Sequence, residues 1–199
     1  MHVTSINCPQ CGDTLPLKFR HSKLAVCASC SSTIFLEDDE VRLAGKQSVL
    51  PKIPSLLQLQ QPFSYQSHSY LPVGHVRYQY DNGFWDEWWA FDNKGEGIWV
   101  SVDEGEFAFE KPTKAPTNVS FNDLTLDKEV NNWLVTERGH ASCEGFEGEL
   151  PEIIAVGDSF DYVHLSKKNA EILTLEFSDK GVRAYKGKWV DPFDISVDA

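Results

Sequence analysis

The sequence predicts a mainly β protein: a small N-terminal module held by four cysteines, followed by an antiparallel β-sandwich or barrel-like domain built of hairpins. Two observations predict the larger domain. Short apolar runs alternate with polar residues between the turn signals DNG at 81–83, DNKG at 92–95, DEG at 103–105 and DKG at 179–181, and such alternation between Gly, Asn and Asp turns marks antiparallel hairpins. Only NDLTLDKEVNNWLV, 122–135, offers a helical alternative, weakened by its Asn, Thr and Val. A third observation sets the front of the chain apart, because four of the five cysteines stand there as two close pairs.

Cys8, Cys11, Cys27 and Cys30 are spaced C-x2-C, fifteen residues, C-x2-C, the spacing of a zinc site. Each C-x2-C turn directs two thiolates at one ion. Gly12 supplies the permissive backbone such a turn needs, Pro9 stiffens it, and Ser31 stands where a second glycine is usual. Between the pairs, Leu15, Leu17 and Phe19 alternate, the chain turns around His21 to Lys23, and Leu24 and Val26 return. TIFLED, 33–38, adds a third strand, so residues 1–36 read as a zinc ribbon. Four thiolates close the tetrahedron and leave no open position, so the expected role is one structural zinc ion whose binding energy folds a module too small for its own core.

Residues 37–62 change character through an acidic run, two close prolines and a glutamine-rich stretch, and 37–56 read as a linker; SLLQLQQ, 55–61, suggests a short strand or a turn of helix sealing the next domain. Residues 57–199 form the all-β domain. HVRYQY, EWWAF, GIWVSV and EFAFE are consecutive strands, and AEILTLEF with VRAYKGKWV a later pair.

YLPVGHVRYQY, WDEWWAF, IWVSV, EGEFAF, EGELP and YKGKWV resemble an uncharacterised bacterial family of the domain-of-unknown-function 4178 type, over about residues 57 to 190. Its elements are matched by Gly74 and Val76, by Trp85, Glu87 and Trp88, and by Trp99 and Val100. The resemblance implies an all-β domain, a zinc ribbon in front and a membrane-stress or polyamine-related setting. It supplies no catalytic residues.

The formal charge of −12 repels phosphate backbones and makes nucleic acid a poor partner. The ribbon tip carries Lys18, Arg20 and Lys23 against Asp13, a small basic footprint that keeps nucleic-acid binding as a second alternative. No stretch reaches the about 18 apolar residues of a membrane span, and the first ten residues lack a basic and an apolar region, so a cytoplasmic protein is expected.

FWDEWW, 84–89, is the sharpest cluster. Alternation puts Trp85, Glu87 and Trp89 on one face and Asp86 and Trp88 on the other. Glu87 reads either as an acceptor for a turn amide or an indole, or as an acid whose pKa its aromatic neighbours raise. Trp85, Glu87, Trp88 and Trp89 are the expected binding surface, for a protein partner or a small cationic ligand held between aromatic rings. His140, Cys143 and Glu144 offer a thiol and an imidazole close in sequence, although Cys143 reads more simply as a small buried residue. His68, His75 and His164 stand as scattered singles. With no phosphate loop, nucleophile elbow or metalloprotease helix, the leading reading is a non-enzymatic binding protein, and the alternative is a hydrolase or amine-handling enzyme using Glu87 or the His140 and Cys143 segment.

Overall fold

The structure, a computed structural model, describes residues 4–19, 21–37, 40–43, 48–81 and 83–197. Among them are sixteen strands and three 3-10 turns, and no α-helix. The helical alternative for 122–135 is not adopted: Phe121–Asp123 makes one 3-10 turn and the rest is extended or turn. No described helix is long and apolar enough to cross a membrane.

The cysteine module carries β1 (Thr4–Asn7), β2 (Thr14–Leu17), β3 (Leu24–Val26), β4 (Thr33–Glu37) and β5 (Glu40–Leu43). The larger domain continues with β6 (Phe63–Tyr65), β7 (His68–Tyr80), β8 (Gly83–Asp92), β9 (Gly97–Asp103), β10 (Glu106–Thr113), β11 (Glu129–Val130), β12 (Trp133–Leu150), β13 (Ser159–Ser166), β14 (Glu171–Ser178), β15 (Gly181–Val190) and β16 (Ser196–Val197). Of the two expected forms, the domain takes the barrel. Antiparallel pairing runs β7-β8-β9-β10-β15-β14-β13-β12, and the ring closes because β12 also pairs with β7.

Closure rests on β12, which changes partner along its length. Leu134 to Ser142 pair with β13, Ser142 to Gly148 pair with β7, and Glu149 and Leu150 pair with Ala25 and Leu24 of β3. Bulges at 135/137 and 143/145 bend it, as closing a sheet requires. Gly148 has φ +75, and a Cβ there would sit 2.1 Å from the Val73 carbonyl oxygen, so the two strands cross too closely for a side chain.

Inward and outward residues alternate, yet both faces of much of the barrel are buried. Outside β8–β10, Leu57, Phe63 and Ile195 pack on Trp88, Val100 and Phe109. Outside β13–β15, Leu124 and Phe121 pack with Val163 and Leu175. Double covering explains why WWAF, 88–91, is a continuous apolar run. The part of 37–56 that is described from Ser48 onward lies on the barrel. Ser48 Oγ donates to the Phe146 carbonyl (2.7 Å) and accepts from its amide (2.6 Å), and the Pro51 carbonyl accepts from Arg77 Nη1 (3.4 Å). SLLQLQQ forms neither strand nor helix, but Leu57 is buried.

On this outward face Asp86 takes Arg77 through Nε (2.8 Å) and Nη2 (3.0 Å), and His75 through Nε2 (2.8 Å). His75 Nδ1 lies 3.1 Å from Glu147 Oε1, and its ring stacks on Trp88 at 4.0 Å. A carboxylate at each ring nitrogen favours the doubly protonated imidazole. Burial alone would lower its pKa, but the hydrogen bonds and charges of Asp86 and Glu147 hold it above the ordinary value. The forked contact to Asp86 compensates the buried Arg77 charge.

Gly148→Ala should destabilise the protein by about 2 kcal/mol or more, through left-handed strain added to the clash with Val73. The check is the urea midpoint, with the cysteine module's metal content followed in parallel.

Candidate functional site

Two constellations carry chemistry, one in the cysteine module and one in the barrel lumen. In the module, the Cys8 and Cys30 sulfurs lie 3.7 Å apart, as do those of Cys11 and Cys27, and all four fall within 4.8 Å of one another. A tetrahedron of four sulfurs about 2.3 Å from a central ion has edges of about 3.8 Å, so the donor set fits a metal ion. Both turns close alike, with Gly12 N donating to Cys8 O and Ser31 N to Cys27 O, each at 2.8 Å. The residue after each pair is left-handed, Gly12 at φ +79 and Ser31 at φ +57. Serine therefore occupies a position whose geometry favours glycine.

The tip between β2 and β3 is docked on the barrel. Glu149 accepts from Lys18 N (2.8 Å), Phe19 N (3.0 Å) and Ser22 Oγ (2.8 Å), while Lys23 N donates to Leu150 O. The Lys18 ammonium donates to Gln60 Oε1, and Arg20 lies outside the described residues.

The expected surface of Trp85, Glu87, Trp88 and Trp89 is corrected in one respect: the three indoles are buried. Covering both faces of β8 is the reason. Trp85 and Trp89 enter the lumen-side core, and Trp88 lies under the segment that carries Leu57. Phe84, at 40% exposure, is what the cluster leaves at the surface, with Arg77 4.3 Å over its ring. Glu87 fits both readings of its role. Its Oε1 accepts from Trp85 Nε1 at 3.1 Å, and burial, with the Glu176 charge behind it, pushes its pKa well above the carboxylate range.

His140 and Cys143 are not brought into one site. His140 is exposed and paired with Asp161 at 2.9 Å, while Cys143 is buried near the Gly145 carbonyl, its thiol pushed up to about 12 by burial and then by Asp158. Glu144 is exposed. His68 is exposed, and His164 faces the lumen.

Sequence reading missed the lumen itself. Its upper half gathers Glu87, Ser101, Asp103, Glu110, His164 and Glu176 around a void of about 20 Å³, room for little more than one water. Asp103, His164 and Trp189 also line a basin of about 500 Å³ at the barrel mouth, with Tyr80, Glu104, Glu106 and Glu137. Glu137 takes His164 Nδ1 at 3.0 Å and Tyr162 Oη at 2.8 Å; Tyr80 Oη donates to Asp103 at 3.2 Å, and Thr174 Oγ1 to Glu110 at 2.8 Å. Arg183 pairs with Glu152, and with Glu176 at 2.7 Å.

Burial shifts several of these acids toward their protonated forms. Burial raises Glu110, and burial followed by the Glu137 charge raises Asp103. Glu176 is raised to about 7 by burial, Arg183 opposing and Glu152 adding to it. Burial would lower His164, but the Glu137 hydrogen bond and charge, with Glu110 and Asp103, hold it up. Alternation on β8, β9, β10 and β14 was the signal available for these inward positions, but only closure shows that they face one another.

The class of protein is thus a closed eight-stranded antiparallel barrel with an acid-rich lumen, preceded by a four-cysteine cluster placed to hold a metal ion. Residues 58–192 match the model of the family described as Domain of unknown function (DUF4178), more than half of the chain, and the chain belongs to that family. All eight barrel strands lie inside the match, and the four clustered cysteines lie outside it. Comparison with the curated proteins and with the solved structures returned no match.

Ser31→Gly should stabilise the metal-loaded module by about 1 kcal/mol, by relieving left-handed strain at a cost in unfolded-state entropy; the chelator concentration that half-depletes the metal reads it. Glu176 binds its proton more tightly folded than unfolded, so its contribution is full below the unfolded value near 4.5 and is lost as pH rises through about 7. Glu176→Gln should flatten the fall in unfolding free energy between pH 5 and 8, measured in urea.

Proposed function

We propose that this family member is a non-enzymatic binding protein: a module folded around one structural zinc ion caps one end of the barrel, and the open mouth receives a small cationic ligand such as an alkylamine. The observation that carries the reading is the basin of about 500 Å³ in which Asp103, Glu104, Glu106 and Glu137 stand beside Trp189 and Tyr80, with His164 the one basic side chain among its lining residues. Asp103, which burial and then the Glu137 charge hold above its ordinary pKa, is stabilised as a carboxylate by an incoming cation, and an aromatic wall adds attraction to an ammonium face. The void behind the mouth is too small for an organic ligand, which favours a seat at the rim. Burial of Trp85, Trp88 and Trp89 argues against a docking surface for a protein partner made of these indoles. For the cage, four thiolates suit zinc and offer it no free coordination position, so its contribution is to fold the module, while Gly12 and Ser31 amides close the turns around the ligands.

Calorimetric titration with a linear diamine and with the neutral diol of the same length tests the mouth. The diamine should bind, weaken with salt and release protons; Glu137→Gln should weaken it by about tenfold or more, since a hydrogen bond to a charged group is worth about 2 kcal/mol. Equal responses to diamine and diol, or none to either, would end this reading.

A further inference from the structure

We propose that the cysteine module is a detachable plug in the apolar end of the barrel, and that its metal decides whether this end is closed. The inference does not rest on the ligand at the mouth, which lies at the acidic end of the lumen.

The first ground is what the module keeps for itself. Among the described residues its own core has four buried side chains, Cys8, Leu15, Cys27 and Ile34, two of them thiols, with Ile6, Cys30 and Leu36 packed against them. Without an ion across the sulfurs, a core of that size does not hold a fold. The second ground is where its largest apolar side chains go. Leu24 is fully buried in the barrel's core, and Phe19, Val26 and Phe35 pack against that same core. Phe19 meets Trp89 edge-on at 5.5 Å and stacks on Phe91 at 6.3 Å.

The third ground is that barrel closure uses none of this. Six residue pairs join β12 to β7, whereas β12 meets β3 through two. The tip is otherwise held by the Glu149 carboxylate, by Lys23 N on Leu150 O and by the exposed Lys18 ammonium on Gln60. Both strands leading to the tip spring from the cysteine turns, so the ion that fixes the turns also aims Phe19 and Leu24. Metal loss therefore withdraws the plug and exposes the aromatic end around Trp89, Phe91 and Leu150, while the eight-stranded ring persists. The device converts metal occupancy into an exposed apolar surface.

The test uses the full chain under reducing conditions, with and without a zinc chelator, followed by hydrogen exchange, binding of an apolar dye and far-ultraviolet circular dichroism. Expected on chelation are a several-fold rise in dye binding, loss of amide protection at Lys18, Phe19 and Lys23, unchanged protection in β9, β10, β14 and β15, and reversal by added zinc. Loss of protection in those barrel strands as well would mean one cooperative unit, and retained protection at the tip would mean a seat independent of the metal; either overturns the proposal. Phe19→Ser separates plug from metal: it should raise dye binding with metal content and strand signal intact. Unchanged dye binding, or a barrel that no longer folds, would also overturn it.

Discussion

Backbone hydrogen bonding along β12 is the constraint on which the rest depends. One strand supplies the last seam of the barrel, through β7, and the only sheet connection between barrel and cysteine module among the described residues, through β3. A strand can pass from β13 to β7 to β3 only if it bends, and the two bulges and the bare backbone at Gly148 provide the bending. Closure also removes sheet edges, which an open eight-stranded sheet would leave to pair with other chains.

Closing the ring divides the inward residues into two chemistries. Toward the cysteine module the lumen is aromatic, with Trp89 and Trp99 meeting at 5.1 Å; toward the mouth it is acidic. Carboxylates that would stay charged on a surface are there raised by burial and by one another. Outside the barrel the same problem is met differently: burial would raise Asp86, but His75 and Arg77 lie against it and hold its pKa below the ordinary value. Inside, burial raises the acids; outside, ion pairs offset it.

Much of the architecture was legible. The four cysteines announce their own meeting point, because C-x2-C spacing is a local property, and the strands of β7–β10 and of β14–β15 follow from alternation between Gly-containing turns. β12 was hidden. WLVTERGHASCEGFEGEL is rich in Gly, Glu and other poor strand formers, and part of its pairing energy comes from β7 and β3, both distant in sequence. Residues 48–56 read as linker for a related reason, since their contacts to Arg77 and Phe146 span 26 and 98 residues.

The sequence by itself determined the all-β class, the cysteine cage, and which residues of FWDEWW share a face, because spacing and alternation are properties of neighbouring residues. Only the tertiary structure decided that both faces of that stretch are covered, that Glu87, Glu110 and Glu176 line one lumen, and that the basic hairpin tip is seated on Glu149. Each of these depends on which distant strand closes the ring, and local periodicity carries no information about that partner.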